Sequence, residues 1–301
     1  RRGCAGIGGN NTTVLITGGT ITAFGGGEET DDVELQMSGA AIGGGFGQCC
    51  GLIRITGGEV YAQGGEYSCG IGPGTQGTVM DGIQISGGNV RAIGGRECPG
   101  IWCGHDDAVA INGGTVLVET FFSSGVTDVA GISPYHGQKS NDAKPKVTGC
   151  SLNARSLNGV VDAKGALCHR VTVNGVSGSK ADIQGLPYAY KDVYFDSVGR
   201  IYLWLPDGDY DFVVNGDRFT ASVAGENVVA MYTGTCSYAI TLDANGGTVD
   251  GEKSLTVLYS YGCELGELPV PEREGYEFLG WRWTSEEDHV GPSQKVTGNM
   301  N

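Results

Sequence analysis

Basic residues are scarce in this chain: Lys and Arg number 19 against 34 Asp and Glu, for a formal net charge of −15. Binding to a nucleic-acid backbone needs clustered cations, so a nucleic-acid partner is excluded and the acidic surface reads as a solubility feature. No apolar run approaches the length of a membrane span, and no signal-peptide h-region is present, so no membrane insertion is expected within this segment. No Gly-Lys-Ser or Gly-Lys-Thr occurs and no long amphipathic helix follows a glycine cluster, which removes the phosphate loops. Zinc needs a second ligand pair, and Cys98 and Cys103 have neither a partner pair nor a well-spaced His. No metal and no cofactor is expected.

What the chain has in excess is glycine, 55 of 301 residues, and the glycines fall on a period. Ile53-Arg54-Ile55-Thr56-Gly57-Gly58-Glu59-Val60-Tyr61-Ala62 recurs as Ile83-Gln84-Ile85-Ser86-Gly87-Gly88-Asn89-Val90-Arg91-Ala92, with poorer copies from Val14 and Val109. A second phrase centres on Ile7, Ile42, Ile71, Ile101 and Ile132, spaced 35, 29, 30 and 31 residues apart. A fixed period in this range marks a solenoid. Within each repeat, apolar residues alternate with polar ones, the signature of strands with one face buried. The Gly-Gly between the two runs suits a corner with positive φ. Three short strands per turn predict a right-handed parallel β-helix over 1–164, its aliphatic side chains stacked from coil to coil. After Ile132 the repeat decays, and Val147 to Leu152 reads as a last, irregular coil.

From about Gly165 glycine thins and aromatics appear. Short apolar runs at Val171–Val173, Val193–Phe195, Ile201–Leu205, Tyr210–Val214, Phe219–Val223 and Val228–Val229 predict strands. Asp196-Ser197-Val198-Gly199, Pro206-Asp207-Gly208 and Asn215-Gly216 are read as hairpin turns between them. The expectation is a small antiparallel β-sandwich over 165–234. Leu203-Trp204-Leu205-Pro206-Asp207-Gly208-Asp209-Tyr210 resembles the strand-turn-strand phrase of carboxypeptidase-regulatory-like and collagen-binding B-type surface modules. Ala239-Ile240-Thr241-Leu242-Asp243-Ala244-Asn245-Gly246-Gly247-Thr248-Val249, followed by Leu268-Pro269-Val270-Pro271 and Tyr276 to Trp281, resembles the Listeria/Bacteroides repeat, the internalin-type B-repeat of bacterial surface proteins. That resemblance implies a β-grasp-like spacer or adhesive unit over 235–301, with Tyr276, Phe278 and Trp281 in a small core and nothing catalytic. The β-helix is similar in texture to the glycine-rich helices found upstream of such modules. The whole is thus expected to be all-β.

Function is sought on the outside of the coils. Tyr61 and Arg91 fall at equivalent places on successive coils, as do Glu59 and Asn89. They form a strip offering an aromatic, a cation and polar partners, the means by which sugars are held. Trp102 is a further candidate. The expectation is a non-catalytic bacterial adhesin-like protein, secreted or surface-attached, whose β-helix binds host or dietary glycans or a partner surface. A chain that begins Arg1-Arg2 and enters directly into a repeat reads as a piece of something longer, with any signal and anchor outside it.

Two alternatives stand beside this. A carbohydrate-active β-helix, a polysaccharide lyase or glycoside hydrolase, would need facing carboxyl groups, and Glu59, Asp81, Asp106, Asp107 and Glu119 are available. The best catalytic cluster is His105, Asp106 and Asp107 beside Trp102. A purely structural stalk is favoured if the strip proves covered. Ten cysteines fit an oxidising compartment. Cys69 and Cys98, near one column of adjacent coils, are disulfide candidates, with a ladder of buried thiols as the alternative.

Overall fold

In the computed structural model, residues 3–27, 37–79, 81–102, 108–121, 131–133, 144–154, 157, 159–235, 237–260 and 264–283 are described. The chain divides into two compact units: 1–182 with 186–210 and 221–230, and 183–185 with 211–220 and 231–301. Residues 165–234 thus contribute to both.

The first unit is a stack of parallel coils, a β-helix. Its five-stranded sheet consists of the two-residue strands Ile7–Gly8, Ile42–Gly43, Ile71–Gly72, Ile101–Trp102 and Ile132–Ser133. The repeat isoleucines pair directly, Ile7 with Ile42, Ile42 with Ile71, Ile71 with Ile101 and Ile101 with Ile132. The other sheet holds two further ladders per coil. In one, Ile16, Ile55, Ile85, Ile111 and Val147 stand level; in the other, Ile21, Val60, Val90, Val116 and Leu152. Except for half-exposed Ile21 and Ile7 of the first coil, all of these aliphatics are buried. Each such side chain taken from water contributes about 1.5–3 kcal/mol, and only stacking of coils removes it from water.

Glycine makes the turns between ladders. The two ladders run into one continuous strand at Ile83–Arg96 and again at Val109–Phe121, bent at Gly87-Gly88 and Gly113-Gly114. Gly58, Gly88 and Gly114 have φ of 98°, 89° and 82°, and a Cβ on Gly114 would lie 2.4 Å from the Gly88 carbonyl oxygen. The conformation and the spacing both demand glycine.

The last coil is more regular than its sequence implies. Lys146–Val147 pairs with Ala110 and Ile111, and Ser151–Ala154 pairs with Thr115 to Val118. Beyond it the stack is closed by Arg200–Pro206, which pairs antiparallel with Cys168–Asn174 in a three-stranded sheet completed by Val228–Val229. Trp204 joins the same apolar core as the coil aliphatics, and its indole Nε1–H donates to the Leu152 carbonyl at 2.9 Å. Tyr202 N–H donates to Ser151 Oγ at 3.0 Å. An unprotected edge of a parallel stack is thereby plugged by a large ring and two hydrogen bonds.

Three expectations for the following segment are corrected. Val193–Phe195 is no strand; Tyr194 forms a single bridge to Lys180, and Val193 and Phe195 are buried individually. Pro206-Asp207-Gly208 is not a hairpin turn, because Arg200–Pro206 has its partner in Cys168–Asn174 while Gly208–Val214 enters a different, four-stranded sheet. That sheet runs Ile183–Gln184, Gly208–Val214, Asp217–Val223, Met231–Thr235. Asn215-Gly216 does turn a hairpin, with φ of 51° and 81°. In the second unit Phe212 and Phe219 stack at 5.9 Å.

The third correction concerns the C-terminal core. Ser237–Asp243 and Ser254–Ser260 pair antiparallel, and Ile240, Leu242 and Leu265 form the buried centre with Trp281 against it. Tyr276 is 67% exposed and Phe278 is also at the surface. Arg273 lies 3.9 Å over the Tyr276 ring, so this aromatic serves a cation rather than the core.

Candidate functional site

The outward face of the second ladder carries the predicted strip. Register puts Thr20, Glu59, Asn89, Thr115 and Ser151 in one column, and Thr22, Tyr61, Arg91, Leu117 and Asn153 in the next. These residues alternate with the buried Val60 and Val90, so a strand period of two brings every second residue outward. Asn89 Nδ2 donates to Glu59 Oε2 at 3.0 Å. The Arg91 guanidinium lies 5.6 Å from the Tyr61 ring centroid, and Phe24 contacts the same ring at 5.9 Å. Arg91 Nε donates to Glu119 Oε2 at 2.6 Å, a charge-assisted bond that raises the guanidinium pKa.

A second wall faces this strip. Tyr194 N–H donates to Thr115 Oγ1 at 2.9 Å, Thr115 Oγ1 contacts the Asp192 carbonyl at 3.5 Å, and Tyr202 is anchored on Ser151. Between these anchors the turn at 196–199 projects. Asp196 Oδ1 accepts the N–H groups of Val198 and Arg200, and Oδ2 accepts the Tyr202 hydroxyl at 3.0 Å. Burial first, and then this bond, raises the Tyr202 pKa. Strip and wall enclose a cleft of about 600 Å³ lined by Glu59, Tyr61, Asn89, Arg91, Glu119 and Asn153 on one side and Asp196, Arg200 and Tyr202 on the other. The wall covers the strip at Thr115 and Ser151. It leaves Glu59 and Asn89 exposed and the Arg91 and Glu119 side chains 49% and 38% accessible, so the strip is not sealed.

Of the sequence candidates, Glu59, Tyr61, Asn89 and Arg91 therefore meet in one cleft. Trp102 does not join them: it is 8% exposed and packs with Ala40 and Cys69. The reason is positional, since Trp102 follows Ile101 at the enclosed site that earlier coils fill with Gly43 and Gly72. His105, Asp106 and Asp107 lie outside the described residues. Asp81 is exposed but not part of the cleft lining. Phe24, Asp196, Arg200 and Tyr202 were not anticipated. Phe24 was within reach, two residues along the strand from Thr22, whose partner is Tyr61; nothing periodic announces the other three.

The Cys69–Cys98 bridge is replaced by two free thiols. Ile71 pairs with Ile101, so counting back two residues sets Cys69 level with Pro99, one step out of phase with Cys98. Cys69 Sγ donates to the Pro73 carbonyl at 3.1 Å within its own coil. Burial pushes both thiols well above their ordinary pKa, which keeps them protonated and inert. Among the described residues no group of three His, Cys, Asp or Glu side chains is placed to hold a metal ion.

The fold is thus a β-helix followed by small antiparallel sheets. Residues 14–46, 53–75 and 83–101 match the beta helix repeat, and residues 238–300 match the Listeria-Bacteroides repeat domain. That repeat is typical of bacterial surface proteins, and its combination with a β-helix points to a bacterial surface protein. No curated protein and no solved structure matches the chain.

Proposed function

We propose that this chain is a non-catalytic, glycan-binding part of a secreted or surface-attached bacterial protein, with the cleft on the β-helix as its binding site and the C-terminal repeat as a spacer. The observation that carries this reading is the partly exposed Tyr61 ring set in a cleft among Asn89, Arg91, Glu119 and Asn153. A pyranose presents an apolar face and a rim of hydroxyls, and an aromatic ring flanked by amides, a guanidinium and carboxylates complements both. Turnover is not part of the proposal. Glu119 has an oxygen occupied by Arg91 and Asp196 accepts three hydrogen bonds, which suits holding a ligand better than shuttling its protons.

The test is binding of the purified chain to an array of bacterial, host and plant glycans, repeated with Tyr61→Ala and with Arg91→Ala. Binding that falls about tenfold or more in Tyr61→Ala is expected from loss of ring stacking. Absence of any glycan binding, or binding indifferent to both substitutions, refutes the proposal. Release of product from a bound polysaccharide refutes its non-catalytic half.

A further inference from the structure

The charges in the cleft are unevenly matched. Its lining includes three carboxylates, Glu59, Glu119 and Asp196, against two guanidiniums, Arg91 and Arg200. Arg91 is committed to Glu119. Arg200 bonds to the Tyr202 hydroxyl, which itself donates to Asp196. Glu59 has only the amide of Asn89 on Oε2, a partner without charge, and among the described residues its Oε1 accepts no hydrogen bond.

Resting on the glycan-binding reading above, we infer that the ligand is a glycan bearing a free amine, an amino sugar, and that Glu59 is the residue that selects it. An ammonium set against Glu59 supplies the cation that the protein withholds, and the charge-assisted bond it makes is stronger than one from a hydroxyl. An acidic sugar meets the opposite situation. It brings a carboxylate toward Glu59, which has a single hydrogen bond where Asp196 has three, on a chain of net charge −15, while Arg91 on the neighbouring coil is already paired with Glu119. The same column adds the exposed Thr20, one coil before Glu59, as a partner for ring hydroxyls. The open mouth at Glu59 and Asn89, opposite the covered end at Thr115 and Ser151, sets where the amine enters.

The experiment is calorimetric titration of the full chain at about pH 6, where carboxylates are ionised and sugar amines protonated. Three oligosaccharides of equal length serve as probes: deacetylated chitin, N-acetylated chitin and oligogalacturonate. A tetralysine peptide is the fourth. The expected order is deacetylated over N-acetylated chitin by about tenfold, oligogalacturonate weakest, and tetralysine weak because it has nothing to lay on Tyr61. Glu59→Gln is expected to erase the difference between the two chitin forms, and a far-UV spectrum and urea midpoint equal to the parent's show that the variant is folded, so the lost preference reports on the charge. Equal binding of the two forms, tightest binding of oligogalacturonate, or a preference that survives Glu59→Gln overturns the inference but not the glycan reading. Tetralysine binding as tightly as the amino sugar overturns the assignment to a sugar. No binding of any probe overturns the inference, and the glycan reading stands or falls separately by the array.

Discussion

Replacing Gly43 by alanine tests whether coil stacking is set by backbone contact. Gly43 pairs with Gly8 on one side and Gly72 on the other, in the column of two-residue strands. Its φ is 134°, and a Cβ there would stand 1.8 Å from the Gly72 carbonyl oxygen and 3.3 Å from Cys50 Cβ. The oxygen belongs to a backbone held in register by Ile71 and Ile101, so no side-chain rotation relieves the clash. A side chain in this conformation costs about 1–3 kcal/mol, and forcing atoms into a packed core costs about another 1–3 kcal/mol; Gly43→Ala should therefore lose about 2–6 kcal/mol. Two glycines serve as controls. Gly47 has φ of 65° but nothing within 4 Å, so Gly47→Ala should lose only the conformational part, about 1–2 kcal/mol. Gly18 has neither a positive φ nor a neighbour within 4 Å, and Gly18→Ala should stay within about 0.5 kcal/mol of the parent. Urea unfolding followed by tryptophan fluorescence, with Trp204 buried in the stack as reporter, ranks the three. A Gly43→Ala midpoint equal to that of Gly18→Ala would refute the claim that carbonyl-to-glycine contact fixes the spacing of coils.

Two more predictions follow from the end of the stack. Trp204→Phe keeps a ring in the core but removes the donor to Leu152, and should cost about 1–2 kcal/mol in urea unfolding followed by far-UV circular dichroism, since the substitution removes the fluorescence reporter; no loss would mean the hydrogen bond is irrelevant to capping. Asp162 is 4% exposed and accepts the N–H groups of Lys164 and Ala166 on Oδ1 and the Tyr188 hydroxyl on Oδ2. Burial alone raises its pKa, but these bonds outweigh it and the net shift is downward. A folded pKa below the unfolded one means that stability is fully present above about pH 4. It is lost as pH falls through the lower folded value. Acid unfolding of Asp162→Asn should accordingly depend less steeply on pH below about 4 than that of the parent, and equal slopes would refute the assignment.

The β-helix was legible because its information is periodic. Once Ile7, Ile42, Ile71, Ile101 and Ile132 are aligned, the register of every ladder and the outward direction of Glu59, Tyr61, Asn89 and Arg91 follow from alternation. Phase errors of one residue were enough to mislead elsewhere. The Cys69 and Cys98 offset looks negligible in sequence, yet one residue of phase is enough to seat the two thiols at non-equivalent positions of their coils, with Cys69 Sγ donating to the Pro73 carbonyl. Trp102 misled for the complementary reason: a large aromatic next to polar residues reads as surface, while its coil position is an enclosed one. Pro206-Asp207-Gly208 has hairpin composition but joins two sheets, because pairing was decided by Cys168–Asn174, some thirty residues away, and turn chemistry does not record it.

The far wall of the cleft lay beyond any local reading, and the fold explains why it stands there. A stack of coils ends in an edge of unpaired carbonyls and an open apolar cross-section, and some later segment has to cover both. Trp204 does so on Leu152, and the strand that carries it places Tyr202 on Ser151. Only Ser197, Val198 and Gly199 separate Asp196 from that strand, and Tyr194 is fixed on Thr115 just before them. Closing the stack therefore forces the 194–202 segment against the outward columns of the last two coils, and the cleft forms where that segment stops short of Glu59 and Asn89. Stability of the end and shape of the site are two consequences of one packing decision. That is why residues some eighty positions beyond Thr115 line a cleft whose floor is written in the repeats.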